Sequence, residues 1–349
     1  LIQTQYFQVD HQQPDKAVLA QAAYILANGG LVAFPTETVY GLGANGLDAQ
    51  AVAGIFQAKG RPSDNPLILH IADDSDVLRL VAKVPANAKA LMDRYWPGPL
   101  TLVMERKQVV PDRVTGGLDT VAVRLPDSVI ARELIRLAQV PVAAPSANLS
   151  GRPSPTTAEA VMADMTGRIQ AIIDGGPCTI GVESTVVDCT TPVPTLLRPG
   201  GITLEMLEET LGEIEIDPAL GQADLIPRAP GMKYKHYAPS APMILIDGAE
   251  DRIAAALAEK IRQAVREGKK VGAVVSAETA LLLPAQALCA VYGPRGDAGQ
   301  IAGNLYTALL SFDQTPVDVI YAEGISECGL GLAVMNRLRK AAGYQILQV

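Results

Sequence analysis

Residues 34–71, FPTETVYGLGANGLDAQAVAGIFQAKGRPSDNPLILHI, carry Lys, Arg, Asn, Thr and His side chains within one supersecondary unit. The apolar run at 31–34 reads as a strand that meets Pro35 and a hydroxyl-rich segment, Thr36, Thr38 and Tyr40. It then turns through Gly41 and Gly43, so polar side chains are delivered to a mouth. A helix is expected over 49–58, followed by Lys59-Gly60-Arg61-Pro62, then Asn65, and then a second strand over 66–71 interrupted by His70. Cationic and amide groups gathered in this way point to an anion site.

Outside this stretch the helix and strand patterns alternate, but several strands follow one another directly through turns, which fits a mixed sheet better than a purely parallel one. Val123-Arg124-Leu125 places an arginine in an apolar strand, and an unpaired buried guanidinium is too costly to be idle, so it must face a partner or a pocket. Residues 142–151, VAAPSANLSG, end an apolar strand in small hydroxyl and amide side chains suited to close backbone approach to a ligand. Thr157 is placed to cap a following helix, and Arg198 stands at a strand end before Pro199-Gly200-Gly201.

From 213 the pattern weakens into a proline-flanked segment, GMKYKHYA at 231–238, with Met, two Tyr and a His that a plain linker would not carry. It reads as a lid or docking peptide. From 242 a regular strand-helix alternation suggests a small doubly wound α/β layer. The expected organisation is a catalytic domain over 1–212, a linker or lid over 213–241 and a Rossmann-like domain over 242–349.

A chain of 349 residues favours two domains and can bury a core without covalent staples. With 29 Lys and Arg against 37 Asp and Glu, and only 4% aromatic residues, a broad nucleic-acid surface is poorly supplied, although a local basic pocket is allowed. The cysteines at 178, 189, 289 and 328 form no C-x-x-C pair and read as reduced, buried thiols. Neither a signal-peptide layout nor a membrane-length apolar run is present, so a cytoplasmic protein without membrane partners is expected.

Taken singly, these features have plain structural explanations. A helix end with a glycine cap accounts for Lys59-Gly60-Arg61, a satisfied core histidine for His70, and local side-chain bonds for Ser146-Ala147-Asn148. Neither a Walker A pattern nor a G-x-G-x-x-G in a βαβ setting occurs. Held beside the next strand, however, Lys59 and Arg61 could clamp a polyphosphate, with Arg as a planar fork and Lys as a point charge.

In combination the motifs resemble the threonylcarbamoyl-AMP synthases of the YrdC-like family in their long, two-domain form. The resemblance runs nearly end to end: PTETVYGLGA at 35–44, KGRPSDNPL at 59–67, WPGPLT at 96–101, VAVRLP at 121–126, PSANLSGRPSPT at 145–156, ESTVVD at 183–188, LLRPGGIT at 196–203, PGMKYKHYAP at 230–239 and GLGLAVMNRLRKAAG at 329–343. The family's K-x-R and S-x-N signature is met by Lys59, Arg61, Ser146 and Asn148. Two departures stand in the linker: Ala229 in place of Ser, and Lys235, which cannot reproduce a bidentate contact, in place of Arg.

The resemblance implies an α/β fold, with a twisted mixed-sheet domain bearing a concave cavity and an ordered linker to a small Rossmann-like domain. It also implies synthesis of L-threonylcarbamoyladenylate and pyrophosphate from L-threonine, bicarbonate or CO2, and ATP, for the tRNA threonylcarbamoyl-transferase machinery. The implied threonine pocket is Thr38, His70, Arg124, Ala144 and Ser184, with Arg124 on the substrate carboxylate. The implied ATP site is Lys59, Arg61, Asn65, Thr120, Ser146, Asn148, Ser154, Arg198 and, from the linker, His236 and Tyr237. Lys59 and Arg61 are the expected catalytic pair. Mg2+ is expected on the ATP phosphates, with no protein metal site and no tightly bound organic cofactor. The alternative classes are an RNA-binding or assembly factor using the basic cavity, and an ATPase regulated by a sensing domain.

Overall fold

The computed structural model describes residues 2–63, 65–220 and 236–349. Contacts divide these residues into two units, one holding 2–150, 154–179 and 183–220, the other 151–153, 180–182 and 236–349. The departures noted at Ala229 and Lys235, and most of the 231–238 segment, lie outside the described residues.

In the first unit the elements run β1 (Gln5–Gln8), α1 (Lys16–Ala27), β2 (Val32–Phe34), β3 (Gly41–Asn45), α2 (Ala49–Lys59), β4 (Ile68–His70), α3 (Ala86–Tyr95), β5 (Leu100–Glu105), α4 (Asp112–Thr115), β6 (Thr120–Arg124), α5 (Val129–Ala138), β7 (Val142–Ala143), α6 (Ala158–Met165), β8 (Ala171–Asp174), β9 (Thr185–Asp188), β10 (Thr195–Arg198), α7 (Leu204–Leu211) and β11 (Glu215–Ile216). The strands make one 11-stranded sheet, ordered β1-β8-β2-β3-β7-β4-β6-β5-β9-β10-β11. It is mixed, as the direct strand-to-strand turns predict: β4 and β6 are parallel, while β6 and β5, and β2 and β3, are antiparallel. Strand β11 falls inside residues 213–241, the stretch read from sequence as linker, and pairs with β10.

Side chains alternate across each strand, and this alternation separates core from site. Leu69, Leu102, Val121 and Val123 face the main core, closed by Ile55 of α2, Leu91 of α3 and Val161 of α6. On the opposite face, α1 and α5 cover one end of the sheet through Leu19, Leu26 and Leu134, packed with Phe34 and Val142. Beyond them that face carries a small apolar cluster, Ile68, Val103, Ala122, Val186 and Leu197. Thr120, Arg124 and His70 share this side by strand alternation.

The expected turn through Gly41 and Gly43 is a strand instead. Residues Gly41 to Gly43 of β3 pair antiparallel with β2, and a Cβ at Gly43 would come within 2.8 Å of Phe34 and Val142. The glycines let two layers approach and do not reverse the chain. The expectation of buried thiols holds for Cys178 and Cys189, whereas Cys289 and Cys328 are exposed; all four are free.

The second unit runs β12 (Met243–Asp247), α8 (Glu250–Arg266), β13 (Val271–Ser276), α9 (Ala277–Ala280), β14 (Leu288–Gly293), α10 (Ala298–Gln314), β15 (Val319–Glu323), α11 (Gly331–Ala341) and β16 (Ile346–Gln348). Its sheet is all parallel, ordered β14-β13-β15-β12-β16. The β12-to-β13 and β14-to-β15 crossovers run in opposite directions, so right-handed connections put helices on both faces, as in a doubly wound layer. At the carboxyl ends of the strands Glu323, 1% exposed, accepts hydrogen bonds from the Ser276 amide (2.6 Å), the Thr279 hydroxyl (2.8 Å) and Arg295 Nε (3.1 Å). Beside it a cavity of about 660 Å³ is lined by Asp247, Glu250, Glu278, Arg295 and Ser326 among others.

Candidate active site

Helix α2 ends in a way that aims its last side chain. Asp48 caps its start by accepting from the Gln50 and Ala51 amides. At its other end Gly60 is left-handed (φ 60°), with the Arg61 amide donating back to Phe56 O (2.9 Å). Lys59 is therefore the final helical residue and Arg61 the first beyond the reversal. Lys59 Nζ donates to the carbonyls of Ser146 (2.5 Å) and Asn148 (2.6 Å), so the K-x-R and S-x-N motifs are joined through one ammonium. That loop is itself fixed along β3, where the Ala147 amide donates to Tyr40 O and the Leu42 amide to Pro145 O. Burial, reinforced by the Arg61 charge, holds the Lys59 pKa well below its ordinary value, while Asp164 and Glu183 oppose the shift.

Asn65 is 1% exposed, and neither its amide nitrogen nor its carbonyl oxygen has a partner among the described residues. An orphaned buried amide is expensive, so this position is a candidate for a ligand contact. Ser146 Oγ donates to Asn148 Oδ1 (2.5 Å), and Ser154 Oγ donates to Glu183 Oε1 (2.5 Å). Thr120 begins β6 on the same side as Arg124. Arg198 follows a register shift in β10 that sets it opposite Val186, and it donates from Nε to Ser184 O (2.9 Å) and from Nη2 to Ser184 Oγ (3.1 Å). Gly200 makes this fold-back possible, because a Cβ there would lie 2.3 Å from the Thr185 amide.

The remaining residues gather where β4, β6, β7 and the 35–40 segment meet. His70 and Arg124 are register partners on β4 and β6, and the Ala144 amide donates to Ile68 O (3.0 Å). Arg124 donates from Nη1 to Thr38 Oγ1 (2.9 Å) and from Nη2 to Glu37 Oε1 (2.6 Å). The partner demanded by a buried arginine in β6 is thus Glu37, and each terminal nitrogen keeps a second N–H. His70 is 4% exposed. Burial and the Arg124 charge push its pKa down to about 3, and its Nδ1 has no partner among the described residues. Ser184 Oγ lies 2.8 Å from Thr101 Oγ1.

His236 and Tyr237 are grouped with the second unit. There the Tyr237 ring lies 5.4 Å from Tyr306 and 5.6 Å from His236, and Arg337 sits 5.9 Å over it.

A family model described as Telomere recombination matches residues 24–200, and one described as Threonylcarbamoyl-AMP synthase, C-terminal domain, matches 202–343. A threonylcarbamoyl-AMP synthase of Pyrococcus abyssi is 54% identical over 94% of this chain and 95% of its own. One of Bacillus subtilis is 50% identical over 95% and 94%. The chain belongs to the threonylcarbamoyl-AMP synthase family. A crystal structure of P. abyssi Sua5 complexed with L-threonine superposes with a TM-score of 0.94 at 52% identity, covering 99% of this chain and 100% of that one.

For this member of the threonylcarbamoyl-AMP synthase family, sequence reasoning missed Glu37, Thr101 and Glu183 as site neighbours. The signal for Glu37 was available: a carboxylate among hydroxyl and apolar residues, and a lone strand arginine in need of a counter-charge. Glu183 and Thr101 carry no such signal, since only the fold brings them to Ser154 and Ser184. Among the described residues no group of three or more His, Cys, Asp or Glu side chains gathers to hold a metal. Nor is any described helix long and apolar enough to cross a membrane.

Proposed function

We propose that this protein is an L-threonylcarbamoyladenylate synthase: it joins L-threonine, bicarbonate or CO2, and ATP, and releases pyrophosphate. The observation that carries this reading is a set of buried polar groups of two chemistries. Arg124, Thr38, neutral His70 and Ser184 gather on one side; Lys59, the Ser146–Asn148 loop and the orphaned Asn65 amide belong to the other. Relatives of the same length that bear this synthase name, and a neighbour complexed with L-threonine, support it.

In this mechanism the neutral threonine amine adds to CO2 and gives up a proton to solvent, and the resulting carbamate attacks the α-phosphate of ATP, breaking its bond to the pyrophosphate leaving group. Transfers of this kind depend on positioning and charge neutralisation more than on a strong general base. Arg124 uses its remaining N–H groups on the amino-acid carboxylate. Arg61, Lys59 and Arg198 face the phosphate charge that grows as pyrophosphate leaves, with Asn65, Thr120, Ser146, Asn148 and Ser154 holding the nucleotide. Mg2+ enters as MgATP, part of the substrate. The product would feed the tRNA threonylcarbamoyl-transferase machinery, and the enzyme would work in the cytoplasm.

Pyrophosphate release should require threonine and bicarbonate together and should proceed without RNA. Salt-sensitive RNA binding with no such turnover would favour the assembly-factor reading, and orthophosphate in place of pyrophosphate would favour a regulated ATPase.

A further inference from the structure

The Glu37–Arg124 ion pair is more than a neutralised strand arginine. Both side chains are more than nine-tenths buried, and the N–O distance is 2.6 Å. Removing two charges from water is costly, and replacement of such a pair by apolar residues is often neutral or stabilising, so stability alone does not explain it. Glu37 is also half-used. Its Oε1 accepts from Arg124, while its Oε2, buried, has no partner among the described residues. A carboxylate oxygen can only accept, so the missing partner must be a donor.

The neighbouring hydroxyls are committed to other partners. Thr38, next in the chain, is held by Arg124 Nη1, and its hydroxyl lies 2.9 Å from that of Thr36, which donates onward to Val39 O. Cys178, the nearby thiol, is raised to about 12 first by its own burial, with Glu37 adding to the shift. Arg124 still has donors for a carboxylate, and Glu37 still has an acceptor for a cation. An α-amino acid presents both ends on one carbon.

We propose that Glu37 binds the α-amino group of the threonine substrate, through Oε2, so that the Glu37–Arg124 pair reads the zwitterion as a unit. This rests on the threonine reading of the site and adds to it the group that recognises the nitrogen, which gives up a proton before it adds to CO2. A substrate with only a carboxylate satisfies Arg124 and leaves Glu37 Oε2 orphaned. The site therefore discriminates against it more strongly than the loss of one attraction would, because an unmet buried acceptor carries its own cost.

The test compares L-threonine with (R)-3-hydroxybutanoate, the same skeleton without the amino group, by calorimetric titration of the full-length protein and its Glu37→Gln and Glu37→Asp variants. Wild type should bind threonine about ten- to hundredfold more tightly than the hydroxy acid, the range of one hydrogen bond to a charged group. Glu37→Gln should erase that preference by weakening threonine alone, and Glu37→Asp should restore part of it. Unchanged binding of the hydroxy acid also reports that the variant is folded and Arg124 intact. Equal weakening of both ligands would overturn the proposal, leaving Glu37 as a support for Arg124. So would tighter hydroxy-acid binding, which would make Glu37 a stand-in for the substrate carboxylate, or an undiminished threonine preference. If wild type itself neither binds threonine nor releases pyrophosphate with it, the functional reading fails first; if wild type turns over and Glu37→Gln keeps the preference, only this inference fails.

Discussion

His70 enters the site as a neutral ring. With a folded pKa near 3 against an ordinary 6.5, the unfolded chain holds more protons through the interval between those values. Stability contributed by the neutral ring is therefore complete above about pH 6.5 and is lost as pH falls toward 3. Unfolding free energy measured by urea titration should drop through this window by a few kcal/mol, and His70→Gln should flatten the drop. An unchanged slope would mean that the ring is not held neutral by burial. Threonine affinity should likewise show no inflection near 6.5, because His70 is already deprotonated there. Arg61 tests the phosphate side. Arg61→Ala should lower the rate of pyrophosphate release by roughly a hundredfold or more, about 3 kcal/mol, with the threonine affinity of the ATP-free enzyme unchanged. Undiminished turnover would remove Arg61 from the reaction. At this scale the sequence was legible where a residue type is anomalous for its setting, as with Arg124 in a strand or Lys-Gly-Arg at a helix end. Ser154 and Ser184 came only through the family resemblance, since small polar residues are ordinary in loops.

Strand β3 shows where local pattern misleads. Gly41 and Gly43 look like a turn because glycine punctuates chains, yet their place is a ladder with β2, where Phe34 and Val142 leave no room for a Cβ. Gly43→Ala should destabilise the protein by about 1–3 kcal/mol through overpacking, read as a lowered urea midpoint. Gly60→Ala is the useful contrast. Its Cβ meets nothing within 4 Å, but its φ is +60°, so the expected cost is only about 1 kcal/mol of backbone strain. If Gly43→Ala proved the milder of the two, the close approach of β2, β3 and β7 would be wrong. Helices were the most legible elements, because α2, α5, α8 and α10 carry long apolar stripes and caps such as Asp48, Ser128 and Asp297. The short edge strands β1 and β11 were not, since their mostly exposed residues bury no face that could reveal a period.

Across the whole molecule, the division into a mixed-sheet unit and a doubly wound unit was visible as a change in the rhythm of strands and helices. Composition does not reveal that residues 151–153 and 180–182 group with the second unit, because that assignment depends on contacts alone. The chain is acidic overall, at -8, while the basic side chains Lys59, Arg124 and Arg198 are buried, which suits a small anionic substrate better than a polyanionic surface ligand. The most direct test of the central claim follows the carbon. With carbon-13 bicarbonate, L-threonine and ATP, mass spectrometry should find an adenylate that carries the label between threonine and the phosphate, formed together with pyrophosphate. An unlabelled threonyl adenylate, made by attack of the amino acid's own carboxylate, or release of orthophosphate without any adenylate, would contradict it.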